Sequence, residues 1–529
     1  MKIKLFFVAA MVVSSVMFGQ TLNDAIKLTT NEQFEKADAA FKTVIQSQPT
    51  NGEALFYYGE NFFKNDQMDK ANEQYQKSVD VNATSPFGYI GLGKVQWYTG
   101  KQTEAKANFF KAITLAAGKN ATVLVKIAEA YTKAETKDLP EALKLLTQAS
   151  KLEPKNPDVF IATGDVYLEQ NEGTKAIENY EKAGALDPKS PRALLKQGQV
   201  WNRAKNFNLA IDTYKKAKLI DSTFAPAYRE MAEIYLRAAQ YPNAAYNAKR
   251  YLDLNKDCSA MSRYAGILNQ ARNYKESVEA ANEALKCDSN NVYTYRYKAF
   301  SQYETADYVG GLESSSKYFT KVALLKDFKV IPLDYEYRAK LYAKNNKDSL
   351  AVIDFKKALE LQPEKVELNS DIANAYIKMK KYPDAIALFK AKIDAGKAGI
   401  NDYYGLARAY YQMKDFINAD SAASQMIRLQ PEQSVGYIWR AKASSQLDPK
   451  NVEWRAKQYY ELYLSKVKPE ELKLPQNKNN LIEAYNYLAA YYADPARKDC
   501  ANVKAYMQKI IDIDPSNAQA KKIMAGLKC

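Results

Sequence analysis

PDVFIATGDVYLEQNEGTKAIENYEKAGALDPKS, residues 157–190, is a unit that the chain repeats. Gly164, Tyr167, Ala176, Tyr180, Ala183 and Pro188 mark it. Gly198, Trp201, Ala210, Tyr214 and Ala217 mark the next unit, each 34 residues on (198−164, 201−167, 210−176). Ala232, Tyr235 and Ala244 continue the phase. Phe160, Thr163, Gly164 and Tyr167 recur at helical spacing and line one face of a first helix. Asn171–Gly173 interrupts it, and Gly173 is expected to supply the helix-ending turn. Ala176, Tyr180, Ala183 and Leu186 build a second helix, which Pro188 stops because proline has no N–H to donate. Gly164 and Ala176 sit where the two helices approach closely, and Tyr167 and Tyr180 fill the space beside them. One such hairpin cannot bury its apolar face alone, so the period predicts an all-α solenoid.

This order of small, aromatic, Ala, aromatic, Ala and Pro residues resembles the tetratricopeptide repeat (TPR) family. The resemblance implies a right-handed superhelix of antiparallel helix pairs. It further implies a concave groove, lined by the first helices, that holds a peptide or protein segment. The basic-and-Asn arrangement with which some relatives clamp a C-terminal carboxylate is not recognisable here.

Residues 1–19 read as a secretory leader: Lys2 and Lys4 precede the short apolar run Leu5–Val13, and Ser14, Ser15 and Gly19 are small. That run is too short to span a membrane. No Cys lies beside the expected new N-terminus, Gln20, so a lipoprotein anchor is not expected. About 14 repeats follow. The first eight are carried by residues such as Phe34, Gly59, Gly93, Ala128, Gly164, Gly198, Ala232 and Ala265. The ninth is irregular around Gly310–Gly311 and Ser314–Ser316, and the non-repetitive link Phe328–Pro332 follows. The expected division is therefore an array over 20–327, a second over 328–515, and a capping helix over 516–529.

The chain has 76 Lys+Arg, 61 Asp+Glu and no His, a net charge of +15. Removing Lys2 and Lys4 leaves +13 (74−61), which favours anionic partners. Without histidine the commonest acid–base group and metal ligand are missing. No glycine-rich phosphate loop, dinucleotide fingerprint or metal motif is present. The expectation is a non-enzyme with no cofactor, no metal and no nucleic-acid partner. Cys258 and Cys287 are 29 apart, as are Cys500 and Cys529. Each pair brackets the open end of a helical hairpin, so two disulfides, Cys258–Cys287 and Cys500–Cys529, are expected in an oxidising compartment.

Most of the 40 Tyr and 20 Phe occupy packing positions. Residues on first helices but off that phase are expected, by the resemblance, to face the groove. They are Phe56, Phe63, Phe87, Ile90 and Trp97 in the second and third repeats. In the ninth and twelfth they are Tyr293, Arg296, Phe300, Tyr303, Tyr404, Arg408 and Tyr411. Exposed aromatics with Arg are typical interface anchors. The leading expectation is a protein-binding scaffold of the cell envelope, periplasmic or associated with the outer membrane. A glycan- or anionic-polymer-binding module is the alternative, and a carboxylate-pair enzyme stands third.

Overall fold

The computed structural model describes residues 21–527; the leader-like stretch 1–19, Gln20 and Cys529 lie outside them. Among the described residues the regular structure is 29 α-helices and one short 3-10 turn, Pro469–Glu471. Eight adjacent antiparallel pairs pack in the first unit, Leu22–Thr30 with Phe34–Ser47 through to Cys258–Gln270 with Tyr274–Cys287, and five in the second, Pro332–Lys344 with Asp348–Leu361 through to Lys478–Ala493 with Cys500–Ile513, before a terminal helix, Ala518–Gly526. The all-α solenoid of helix pairs read from the period is the fold. No helix among the described residues is long and apolar enough to cross a membrane.

The fifth repeat shows why each pair forms. Its first helix is Pro157–Glu169, with proline at the helix start and the Asn156 side chain accepting from the Asp158 N–H. Its second is Gly173–Leu186, which ends before Pro188. One local expectation is corrected here: Gly173 opens the second helix, and the left-handed turn residue is Asn171, φ 62°. Lys205, Ala239, Lys380 and Lys414 hold the same conformation in their repeats, at φ 54–61°. The hairpin packing imposes this geometry on whatever side chain stands there.

Between the two helices the small residue meets the large one. A Cβ on Gly164 would overlap the Tyr180 ring, and Gly59 with Tyr75 and Gly198 with Tyr214 repeat the arrangement. At the same positions the fourth repeat has buried Ala128 with Leu146, and the seventh Ala232 with Ala248. Gly164→Ala should therefore cost about 1–3 kcal/mol through overpacking. Adding Tyr180→Leu should recover part of the loss, so the two changes together cost less than their sum. Denaturant titration of the single and double variants measures this, and strict additivity would show that the close approach is not the limiting contact.

The molecule divides into two compact units, one up to Thr305 and one from Ala306. The division falls between the two helices of the ninth repeat, Val292–Glu304 and Tyr308–Val322, rather than at residue 328. In the first unit the superhelix comes round on itself. Asn31 Nδ2 donates to Asp221 Oδ2 (3.0 Å), and Gln33 Nε2 donates to the Thr223 carbonyl (3.0 Å). Arg229 donates from Nε and Nη2 to both oxygens of Glu32, at 3.1 Å each. The turn of the first repeat thus clasps the link between the sixth and seventh, and about six repeats enclose a lumen. The clasp is made of polar side chains. The apolar clusters of the first two repeats and of the sixth and seventh remain separate.

Cys258 and Cys287 form a disulfide with Cα atoms 5.4 Å apart, joining the start of one helix of the eighth repeat to the end of the other. The sequence expectation for that pair holds. The expected partner of Cys500, Cys529, lies outside the described residues.

Candidate functional site

First helices of the first unit line the lumen in a fixed phase. One residue after the small packing position (Gly59, Gly93, Ala128, Gly164, Gly198) come Glu60, Lys94, Glu129, Asp165 and Gln199. Two residues before it come Tyr57, Lys126 and Lys196, and five after it Lys64 and Lys133. Glu60, Lys64, Lys126, Glu129, Lys133, Lys196 and Gln199 border one cavity of about 330 Å³, with Ile161, Leu195 and Phe224 supplying apolar wall.

The charges form a ladder from repeat to repeat. Lys94 Nζ donates to both Glu60 oxygens (2.8 and 2.9 Å), and Tyr75 donates to Glu60 from the side of the core (2.6 Å). Lys126 pairs with Glu129 at 3.0 Å. Asp165 accepts from Tyr180 (2.8 Å) and pairs with Lys196 (2.9 Å) and Lys133 (3.5 Å). Arg192 reaches Asp158 at 2.6 Å. The buried Tyr75 and Tyr180 therefore fix the lumen carboxylates from behind. Burial works against each carboxylate, but neighbouring lysines win. Lys94 and Lys126 hold Glu60 below the usual carboxylate range, Lys126 and Lys133 hold Glu129 well below it, and Lys196 and Lys133 lower Asp165. Burial lowers Lys94 too, against the pull of Glu60; with two short bonds between them, both members remain charged at neutral pH.

Most of the residues expected to face the groove pack against the next repeat instead, and a single shift of phase explains them. Phe56, Ile90, Phe63, Trp97, Tyr404 and Tyr411 lie three before or four after the small residue, and that stripe faces the next repeat. Phe56 is 0 % exposed and packs on Tyr75 and Phe87, with ring centroids 5.7 and 5.5 Å away. Phe87 and Ile90 are buried in the same cluster. Phe63 is half-buried, edge-on to Tyr98 at 4.9 Å. Trp97 is buried edge-on to Tyr131 (4.7 Å), and its indole N–H donates to the Thr136 carbonyl (2.8 Å), fixing the longer turn of the fourth repeat. Tyr404 and Tyr411 clamp Trp439 of the following repeat, each at 5.7 Å. Phe300 is buried and Tyr303 half-buried. Tyr293 is 47 % exposed, with the Arg296 guanidinium 5.4 Å from its ring centre. Arg408 is half-buried one residue after Ala407, the position that faces the lumen in the first unit. The structure brings Tyr404 and Tyr411 together, but as packing.

The lumen ladder left one sequence signal unused: opposite charges one repeat apart. Glu60 and Lys94, Asp158 and Arg192, and Glu169 and Arg203 are each separated by 34. All three pairs meet, at 2.8, 2.6 and 3.3 Å.

A family model described as TPR repeat matches residues 164–201, from the fifth unit into the first helix of the sixth. Among solved structures, the chain is similar to the C-terminal part of a TPR repeat-containing protein from Cytophaga hutchinsonii. The identity is 29%, over 51% of this chain and 100% of that one, with a TM-score of 0.43. It is also similar to the APC/C hetero-tetramer Cut9–Hcn1, at 12% identity over 89% of this chain and 96% of that one, with a TM-score of 0.37. A CTR9 homolog from Arabidopsis thaliana is 23% identical over 129 residues, 24% of this chain. The chain spans only 12% of that relative's length. The TPR model matches the unit at 164–201, and the adjacent helix pairs on either side of it fit a multi-repeat TPR protein.

Proposed function

We propose that this protein is an exported, non-catalytic scaffold of the cell envelope, and that the lumen of its first unit holds a segment of a partner protein. A TPR solenoid is suited to protein binding. The observation that carries the choice of face is the clasped lumen, whose fixed carboxylates and lysines offer paired charge beside apolar wall. Preorganised side chains of this kind lose little entropy on binding. Export is supported by the leader-like residues 1–19 and by the Cys258–Cys287 disulfide, which suits an oxidising compartment. The non-catalytic reading rests on the absence of histidine from the sequence.

Pull-down of the full exported chain from its own envelope, followed by mass spectrometry, tests this reading. Leu195→Trp, which fills the lumen, should lose the partner, whereas Phe110→Ala on a second helix, where Phe110 is 73 % exposed, should keep it. Recovery of anionic polysaccharide without protein would favour polymer binding instead. Equal recovery by all forms would move the binding face away from the lumen.

A further inference from the structure

Each carboxylate lining the cavity of the first unit has a cation beside it: Glu32 has Arg229, Glu60 has Lys94, Glu129 has Lys126 and Asp158 has Arg192. The reverse does not hold. Lys64, at the end of the Gly52–Lys64 helix, lines the same cavity but makes no ion pair or hydrogen bond among the described residues. Part of its side chain is exposed, but its ammonium stands inside the concavity, where the surrounding protein removes much of its water. The cavity lining holds six cations and four carboxylates, an excess of two positive charges.

The geometry points to an oxyanion site on Lys64: the lumen receives a carboxylate or phosphate group on this ammonium, with Lys126 and Lys133 flanking it. Ammonium groups act as point charges toward compact oxyanions. Tyr57, Ile161 and Leu195 of the same cavity give apolar surface to the rest of the ligand. The volume of about 330 Å³ falls at the small end of ligand pockets, roughly 300–1,000 Å³. The arrangement differs from the other lumen lysines, because their charges are already spent on fixed carboxylates.

The state of Lys64 is consistent with a site awaiting an anion. Burial and the adjacent Lys126 pull its ammonium down to about 8, with Lys133 acting the same way and Glu60 and Glu129 opposing. Lys126 itself is raised, because Glu129 outweighs its burial, so it remains a cation while Lys64 titrates. An oxyanion on Lys64 favours the protonated form and raises its pKa. Binding therefore takes up protons at and above about pH 8 and weakens as pH rises past it.

This inference rests on the lumen being the binding face, and its test is separate from partner capture. The full chain is acetylated at pH 8 with limiting acetic anhydride, and Lys64 is followed by peptide mass spectrometry, with Lys111 on a second helix as internal reference. Inorganic phosphate, succinate and a blocked Glu-containing hexapeptide are the probes, with chloride at matched ionic strength as control. The expected result is saturable protection of Lys64, about tenfold at roughly ten times the dissociation constant, and none at Lys111. Protection by phosphate or succinate alone identifies a free small anion as sufficient, whereas protection only by the peptide assigns the carboxylate to a polypeptide. In Lys64→Gln, whose fold is checked by circular dichroism, the proton uptake on adding the protecting probe should vanish. Unprotected Lys64 with all three probes, or unchanged proton uptake in Lys64→Gln, overturns the site. Partner capture that survives Lys64→Gln while Leu195→Trp abolishes it would sink this inference alone.

Discussion

Glu60→Gln should destabilise the second and third repeats by about 3–5 kcal/mol, the usual cost of leaving a buried cation without its partner. Lys94 has few ways to relax. Its ammonium lies 4.0 Å from the centre of the Phe63 ring and bonds both Glu60 oxygens, and its side chain is almost out of reach of water. The substituted amide still accepts through its one oxygen, but its N–H groups must find an acceptor between Lys94 and Tyr75. The effect has a pH signature. In the variant, the folded-state pKa of Lys94 lies further below its unfolded value, near 10.4. The cost is then full at neutral pH and shrinks as pH rises through the depressed folded pKa, because the buried amine gives up its proton. Adding Lys94→Met removes the stranded charge and should recover most of the loss. Local unfolding read by hydrogen exchange over helices Gly52–Lys64 and Pro86–Tyr98 is the appropriate measure, since repeats of a solenoid open separately. A neutral single variant, or a double variant no better than the single, would show that the pair is not electrostatically isolated.

Removing the disulfide should be nearly as costly. Cys258→Ala with Cys287→Ala opens a loop of sequence separation 29, worth roughly 3–4 kcal/mol in the chain-entropy picture. The eighth repeat has reason to depend on that link. Where hairpins two, three, five and six hold a large ring against the small residue, it has Ala265 and Ala281. Its contact with the ninth combines hydrogen bonds, Thr294 donating to Ser262 (2.7 Å) and Ser301 to Ser277 (2.9 Å), with the Tyr297 ring lying on Gly266. Alanine against alanine inside the hairpin buries less apolar surface than the ring-filled hairpins do. Reduction should therefore speed exchange in helices Cys258–Gln270 and Tyr274–Cys287 well before the ring-packed repeats two, three, five and six. Uniform loosening along the first unit would contradict this local role.

The fold was legible because its signal is redundant. Glycine against tyrosine recurs at a fixed period, and a hairpin that needs its neighbours leaves the same mark each time. The site was harder to read, for a geometric reason. On a helix one residue is a rotation of about 100°. The stripe of Phe56, Phe63, Ile90 and Trp97 is therefore adjacent to the lumen stripe but turned into the next repeat. Large aromatic side chains off the hairpin phase suggested an exposed binding face, yet in an array they also serve the second interface that every repeat must make. The lumen is instead marked by charged residues whose partners stand one repeat away, as with Glu60 and Lys94. The clasp left no periodic trace, because Asn31, Glu32 and Gln33 meet Asp221, Thr223 and Arg229 only after the superhelix has come round.

Site-specific photocrosslinking tests the central claim, that the lumen of the first unit is the receiving surface. A photoreactive phenylalanine analogue replaces Leu195, on the cavity wall, or Phe110, exposed on a second helix, and the cells are irradiated intact. A discrete adduct with an envelope protein from position 195, and none from 110, is the predicted result. Adducts from position 110 with none from 195 would contradict it.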